Sequence, residues 1–412
     1  MVAPATRFEP LLSKFFRMSF SRLKLGVLTG AVLAYALWGS PTPDDLGGLE
    51  AVLGIALVLI VGFAGMRYAL VFQADKPMPV KAAQLFLYAG LTFPFLAMMI
   101  NGHQSVYVFR DFAAFLFMLL PLFLWPLFLR DSRASRMVLY SVLFLGLIFA
   151  VRTRLDLAFV GEGNALYYLS NMPSVLFAAI YFAGKGIERF TGQSCRFCIA
   201  RIALFFVLSW VCVLPMIETQ QRASLGAFII SLAIILGVRF ISAPKRTLAI
   251  FAGLLAVTVI FRHELLPIVE SLLLKTTIVG GNMRVQEWQA VWAEISQSPL
   301  SIMFGQGWGA RFASPAVADI TVNFTHGLVT SLLLKTGVFG CLLGLAYIFS
   351  LLWGGTKYLK KEPALVLAVA APVLIDVFLY ASFKSLDFGL VLALMPALLY
   401  SKENNSIHSD ST

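Results

Sequence analysis

Charge is scarce in this chain. Only 13% of its residues are Asp, Glu, Lys or Arg, where a soluble domain carries about 25%. Too little polar surface is left to coat a water-soluble enzyme, and a disordered chain needs more charge than this. Cysteine is almost absent, with four in 412 residues, which excludes a small disulfide scaffold. Cys212 and Cys341 sit in apolar runs and read as packing residues. Cys195 and Cys198 form a lone CxxC, with no second pair and no nearby His to complete a zinc set. His103 and His263 lack ligand-spaced partners, and Asp44 and Asp45 share a solvated Pro/Gly loop. No metal site and no cofactor is expected. No cleavable signal peptide is expected either: a basic leader from Arg7 to Lys24 precedes the first apolar run, which reads as a signal anchor. No internal repeat is visible.

What fills the chain instead is apolar. Hydrophobic residues make up 59% of it, with a mean hydropathy of +0.84. Apolar stretches of about 18 residues or more recur along the whole length, the mark of an all-α polytopic membrane protein. Twelve transmembrane helices are expected, at about 25–39, 49–66, 83–100, 112–129, 137–151, 166–183, 202–217, 223–242, 247–261, 327–353, 364–383 and 387–401. The domains follow: 1–261 with helices one to nine, one large loop at 262–326, 327–401 with helices ten to twelve, and a polar tail at 402–412.

The net charge of +11 and pI near 9.6 would suggest nucleic acid in a soluble protein. No basic domain exists to carry it, so nucleic acid is excluded as a partner and membrane lipids are expected. Lys and Arg instead mark topology. Twenty-two lie in loops on one side and nine on the other, with Lys335 left inside a span. Both termini and the tail are therefore expected in the cytoplasm, and the long loop on the outer face. That loop contains one helical pattern, in which Trp288, Val291, Trp292 and Ile295 form an apolar face suited to the membrane–water boundary. Pro299 ends it.

Outward-facing arginines are the informative ones, because the topology rule gives no reason for them. Arg222 opens the eighth span after Glu218-Thr219-Gln220-Gln221; Arg284 opens the amphipathic helix; His326 ends the loop. Arg is a fixed cation whose fork matches phosphate oxygens, and His accepts a proton near neutral pH. Two Arg and one His suit a phosphate leaving group and a base for an incoming hydroxyl. Each alone also fits an interface anchor or a hydrogen-bonded boundary residue. Glu218, Gln221 and Arg311 are possible supporting residues. Gly305-Gln306-Gly307-Trp308-Gly309 is Gly-rich but lies outside any βαβ unit, so it does not read as a nucleotide loop. Lys335 and Asp376 are intramembrane charges, expected in a buried ion pair or lining a cavity.

Three stretches carry a family likeness. His326-Gly327, nine residues, then Gly337-Val338-Phe339-Gly340 resembles the signature of O-antigen ligases. Thr219-Gln220-Gln221-Arg222-Ala223-Ser224 is similar to that family's Thr/Ser-rich stretch ending in Arg before a span. Arg284-Val285-Gln286-Glu287-Trp288, then Ser298-Pro299-Leu300 and Phe304-Gly305-Gln306-Gly307, resembles the Arg-x-x-x-Trp, Pro-Leu and Gly-x-Gly run of the O-antigen ligase and polymerase superfamily. The likeness covers about residues 200–345. After the His the family usually has Asn, Ser or Gln; here it is Gly327.

The resemblance implies a GT-C-like glycosyltransferase in the inner membrane of a Gram-negative bacterium, with a periplasmic active site. Its donor would be O-antigen on undecaprenyl diphosphate and its acceptor a sugar hydroxyl of the lipid A-core oligosaccharide. It implies an inverting, metal-independent transfer with His326 as base and Arg222 and Arg284 on the diphosphate. An O-antigen polymerase or O-linked oligosaccharyltransferase of the same superfamily is the near alternative. A secondary transporter or flippase is the remote one, disfavoured by the missing repeat and by a longest loop on the outer face.

Overall fold

The computed structural model describes residues 9–39, 48–159, 165–192, 198–279 and 283–409. Arg7, Asp44, Asp45, Cys195 and Arg196 lie outside them. The described chain is a predominantly helical, multi-pass membrane protein. Its first half runs α1 (Glu9–Trp38), α2 (Gly48–Leu70), α3 (Met78–Asn101), α4 (Ser105–Met118), α5 (Leu120–Arg130) and α6 (Ser132–Phe159). A 3₁₀ turn at Ala165–Asn171 leads to α7 (Pro173–Gly192), α8 (Cys198–Glu218), α9 (Arg222–Ser242), α10 (Pro244–Ile260) and α11 (Arg262–Val279). The large loop holds α12 (Arg284–Ile295), α13 (Pro299–Phe304) and a hairpin of β1 (Phe312–Ser314) and β2 (Ile320–Val322). The chain closes with α14 (Leu328–Thr356), α15 (Pro363–Phe378) and α16 (Leu386–Ser409).

Seven stretches among the described residues are long and apolar enough to cross a membrane: Val52–Leu70, Met78–Asn101, Ser105–Leu129, Arg133–Leu155, Ile199–Glu218, Arg222–Ser242 and Leu328–Thr356. The other five expected spans correspond to different objects. Pro244–Ile260 continues into Arg262–Ser271 across a 66° bend, and Leu23–Trp38, Pro363–Phe378 and Leu386–Ala397 are shorter apolar helices. The expected span at 166–183 is displaced to α7, because Pro173 fixes the first helical position. Asp387 accepts the Ser174 N–H there at 3.0 Å. Helix α7 carries Lys185, Glu188 and Arg189 and is buried along most of its length, packed against α6, α8, α9 and α15.

Helix α14 is broken where the motif places Gly337, whose φ is +65° and ψ −170°. A break in a helix strands backbone carbonyls, which cannot stay unpaired inside a membrane. The Gly-rich segment of the loop takes them up: Gln306 N–H donates to Leu334 O at 2.8 Å and Gly307 N–H to Lys335 O at 3.1 Å. The fit needs glycine on both sides. A Cβ on Gly305 would stand 2.5 Å from Lys335 O, and one on Gly337 would stand 2.5 Å from Met303 O. The Gly-x-Gly stretch is thus a splice between the loop and α14. His103 Nε2 and Asn101 Nδ2 hold Gln306 O from the other side, at 2.8 and 2.9 Å.

Below the splice Lys335 is buried and paired with Asp111 of α4 at 2.7 Å. Asp111 also accepts the Gly309 N–H at 2.8 Å. Lys335 donates further to the carbonyls of Ala310 and Asn323. The expected ion pair therefore exists, with Asp111 as the acid; Asp376 accepts from Ser382 Oγ at 2.7 Å instead. Both Cys212 and Cys341 are buried and free.

Helix α9 connects two differently charged ends. Near its C-terminus Arg239 pairs with Glu188 at 3.1 Å, and Lys185 bridges Glu188 and Glu362 at 2.8 and 2.9 Å. Its N-terminus, at Arg222, lies on the side of the large loop.

A buried glutamate and a histidine form the candidate site

Helix α12 positions the centre of the site. Its first residue is Arg284, and its inward face is Glu287, Val291 and Ile295, all buried. Trp288 and Trp292 point outward and are exposed. The expected apolar face is therefore split. The two aliphatic residues pack inside with Glu287 at i, i+4 and i+8, and the tryptophans cover the outer side, where amphipathic rings suit a membrane boundary.

Glu287 is the residue that pattern reading missed. Its side chain is 2% exposed, against 24% for His326 and 20% for Arg284. One carboxylate oxygen accepts from His326 Nδ1 at 3.0 Å, and the other from the His326 backbone N–H at 3.3 Å. Ser314 Oγ, at the end of β1, donates at a long 3.4 Å. Arg284 Nη1 stands 3.9 Å from the carboxylate, beyond a hydrogen bond, and it has no other acceptor. Burial pushes the Glu287 carboxyl up, but the His326 contacts and the Arg284 charge outweigh it and hold it below the usual carboxylate range. An ionised carboxylate only accepts, so the proton between the two side chains sits on His326 Nδ1. In neutral imidazole that leaves Nε2 as the proton acceptor. Burial lowers the Arg284 guanidinium, with Glu287 and Tyr380 acting the other way.

Gly327 caps α14 directly after the histidine. A Cβ there would stand 3.0 Å from Phe378 O and 3.3 Å from Val377 O. The end of α15 thus fills the space a side chain would need, which accounts for glycine where the resembled family has a polar residue.

Arg222 is half-buried at the N-terminus of α9. Two residues on, Ser224 is hydrogen-bonded to Tyr380, whose phenol also feels the charges of Asp376 and Arg284. Tyr380 thus touches the start of α9 through Ser224 and lies within the field of Arg284. The three supporting residues are engaged elsewhere. Glu218 pairs with Arg154 at 3.1 Å. Gln221 is buried and bonded to Ser170, fastening the 3₁₀ turn to the α8–α9 corner. Arg311 donates to Thr321 O at 2.7 Å and lies over the Tyr107 ring.

No known protein family matches the chain, and no curated protein matches it in sequence.

Proposed function

We propose that the protein is an O-antigen ligase, a glycosyltransferase of the inner membrane that moves a glycan from undecaprenyl diphosphate to the lipid A-core on the periplasmic face. Twelve crossings with cytoplasmic termini and a GT-C-like architecture belong to this proposal. The observation that carries it is the Glu287–His326 pair with Arg284 beside it. A carboxylate that holds one imidazole nitrogen as the donor and leaves the other to accept is the arrangement that makes His an effective base. A guanidinium whose Nη1 lacks an acceptor is suited to a phosphate oxygen.

The reaction then follows. The acceptor hydroxyl oxygen attacks the anomeric carbon, and its proton passes to His326 Nε2. The bond from that carbon to the diphosphate oxygen breaks, and undecaprenyl diphosphate leaves on the opposite face, so configuration inverts. Arg284 and Arg222 balance the charge that develops on the departing diphosphate. Glu287 stabilises the imidazolium formed. The outward tryptophans of α12 would lie where two lipid-borne substrates enter.

The test is the lipopolysaccharide profile of a deletion strain, complemented with wild type, His326→Ala or Arg284→Ala. Wild type restores laddered lipopolysaccharide; both variants, expressed at wild-type level, leave bare core and lipid-linked polymer. A normal ladder from either variant sinks the assignment. Core bearing a single repeat unit identifies a polymerase instead.

A further inference from the structure

Lys384 has no role in the reaction just described, yet it stands beside the site. It ends the 3₁₀ turn Ala381–Lys384 between α15 and α16. Its ammonium donates one long hydrogen bond, 3.4 Å to Asn323 O, and lies 5.7 Å from the Phe324 ring centroid. That ring meets the His326 ring edge-on at 5.7 Å.

The carboxylates that flank the turn are bonded to its serines, Asp376 accepting from Ser382 Oγ at 2.7 Å and Asp387 from Ser385. Among the described residues no carboxylate lies within ion-pair distance of Lys384. Asp111, whose field reaches it, is already paired with Lys335. Lys335 and Arg110 add like charge. The residue is half-buried as a whole, while its ammonium is enclosed closely enough that desolvation dominates its titration. Burial lowers it to about 7; Asp111 and Glu287 oppose the shift, and Lys335 and Arg110 reinforce it. Two more donors nearby are unsatisfied. Asn323, whose carbonyl receives both lysines, has a buried Nδ2 without an acceptor, and so does Arg284 at Nη1. Buried donors without acceptors cost free energy, and a protein tolerates a cluster of them where a ligand supplies the acceptor.

We propose that Lys384, together with Asn323 and Arg284, forms an oxyanion subsite that holds a phosphate of a prenyl diphosphate. The inference rests on the diphosphate-donor reading and adds to it a third cation, brought from the α15–α16 turn. Lys384 binds the ligand here; His326 does the proton transfer.

The experiment uses the full chain in phosphatidylcholine nanodiscs and isothermal titration with farnesyl diphosphate, farnesyl monophosphate and inorganic pyrophosphate. Wild type binds farnesyl diphosphate tighter than the monophosphate. Lys384→Met weakens it by about tenfold or more, the loss of ~1.4 kcal/mol that one charge-assisted contact supplies. Lys384→Arg keeps it within about threefold, which a merely structural lysine would not require. The wild-type affinity falls between about pH 6.5 and 8.5, and that of Lys384→Arg falls less over the same window, because an arginine does not titrate there. The other titratable and charged groups around Lys384 are Arg110, Asp111, Glu287 and Lys335, His326 across the Phe324 ring, and Asp376 and Asp387 on the helices that flank the turn, and all remain in Lys384→Arg. A tighter fit of pyrophosphate than of farnesyl diphosphate would assign the subsite to a free anion and overturn the lipid part. Equal binding by wild type and a folded Lys384→Met overturns the inference, as does no binding of any probe by wild type. Failure of the ligase reading looks different: binding depends on Lys384, yet His326→Ala cells keep a normal ladder.

Discussion

Glu287→Gln tests the site at its least exposed point. The substitution keeps the shape of the side chain and an oxygen for one of the contacts at 3.0 and 3.3 Å to His326, and it removes the charge. As the histidine takes the proton of the attacking hydroxyl, it becomes a cation beside the carboxylate. Two unit charges about 4 Å apart interact by ~4 kcal/mol at an effective dielectric near 20. The amide dipole recovers part of this, so ~3 kcal/mol should be lost in the transition state. At 1.36 kcal/mol per decade that is a fall of about a hundredfold in kcat. KM for the donor should stay within about threefold, since the loss arises only once the proton moves. The assay is transfer of lipid-linked glycan to lipid A-core by the purified protein, read by gel shift. A kcat within threefold of wild type, from a variant that stays folded at the assay temperature, would refute the role given to Glu287. Linkage supplies a second readout. The Glu287 carboxyl is lower in the folded protein, so its contribution to stability is present above the ordinary carboxylate value of about 4.3 and is lost as pH falls through the folded value. Acid melting should therefore be shallower in Glu287→Gln.

Lys335→Met should be strongly destabilising, by ~3–5 kcal/mol, because it leaves Asp111 charged and unpaired in the interior; Lys335→Met/Asp111→Leu should recover part of that in a thermal melt, and no recovery would mean the pair is not what matters. Gly337→Ala forces a Cβ to within 2.5 Å of Met303 O at a φ of +65° and should abolish folding or activity, whereas Gly226→Ala, with open space around it, should change the melting temperature little. Lys384→Met should raise the melting temperature of the ligand-free protein at pH 6, where the folded wild type carries an ammonium that burial disfavours. The gap should close as pH rises from about 7 toward the unfolded value of about 10.4, because the unfolded chain binds more protons across that window; a gap that widens instead would refute the sign of the shift.

How far the sequence could be read depended on whether the physics was local. Apolar length alone announced a helical membrane protein, and long runs such as Ile199–Glu218 and Arg222–Ser242 fell close to their expected places. Helix α7 was harder to place, since a buried central helix need not be uniformly apolar: its Lys185 and Glu188 neutralise each other and Glu362 and Arg239 nearby. In the site, Arg284 and His326 stood out as charged or titratable residues at element boundaries. Glu287 was hidden inside the same short motif. The stripe 287–291–295 has the helical spacing of a buried face, but the tryptophans at 288 and 292 offered a more hydrophobic stripe one residue over. Glu218, Gln221 and Arg311 were chosen as sequence neighbours, and their partners lie on other elements: Arg154 on α6, Ser170 on the 3₁₀ turn, Tyr107 on α4. Contacts of this kind carry no periodic signal.

The two glycine features and the cations belong to one construction problem. A site for a charged lipid headgroup must stay rigid at the edge of an apolar medium, where neither stray carbonyls nor unpaired ammonium groups are cheap. The break at Gly337 is tolerated because Gln306 and Gly307 satisfy its carbonyls, and the same contact ties the loop carrying α12 to the helix that follows His326. Lys335 satisfies Asp111 and two loop carbonyls one layer below. These contacts close the polar groups around the break, whereas, among the described residues, Asp376 Oδ2 on α15 and Asp387 Oδ1 on α16 stay without donors. Among the described residues Arg284 Nη1 and Asn323 Nδ2 remain without acceptors, and no carboxylate lies within ion-pair distance of Lys384. All three belong to the surroundings of His326, whose tautomer is fixed by a buried carboxylate. Donors left open beside that histidine are what the proposed diphosphate site requires, because the anion would arrive with the substrate and supply the missing acceptors.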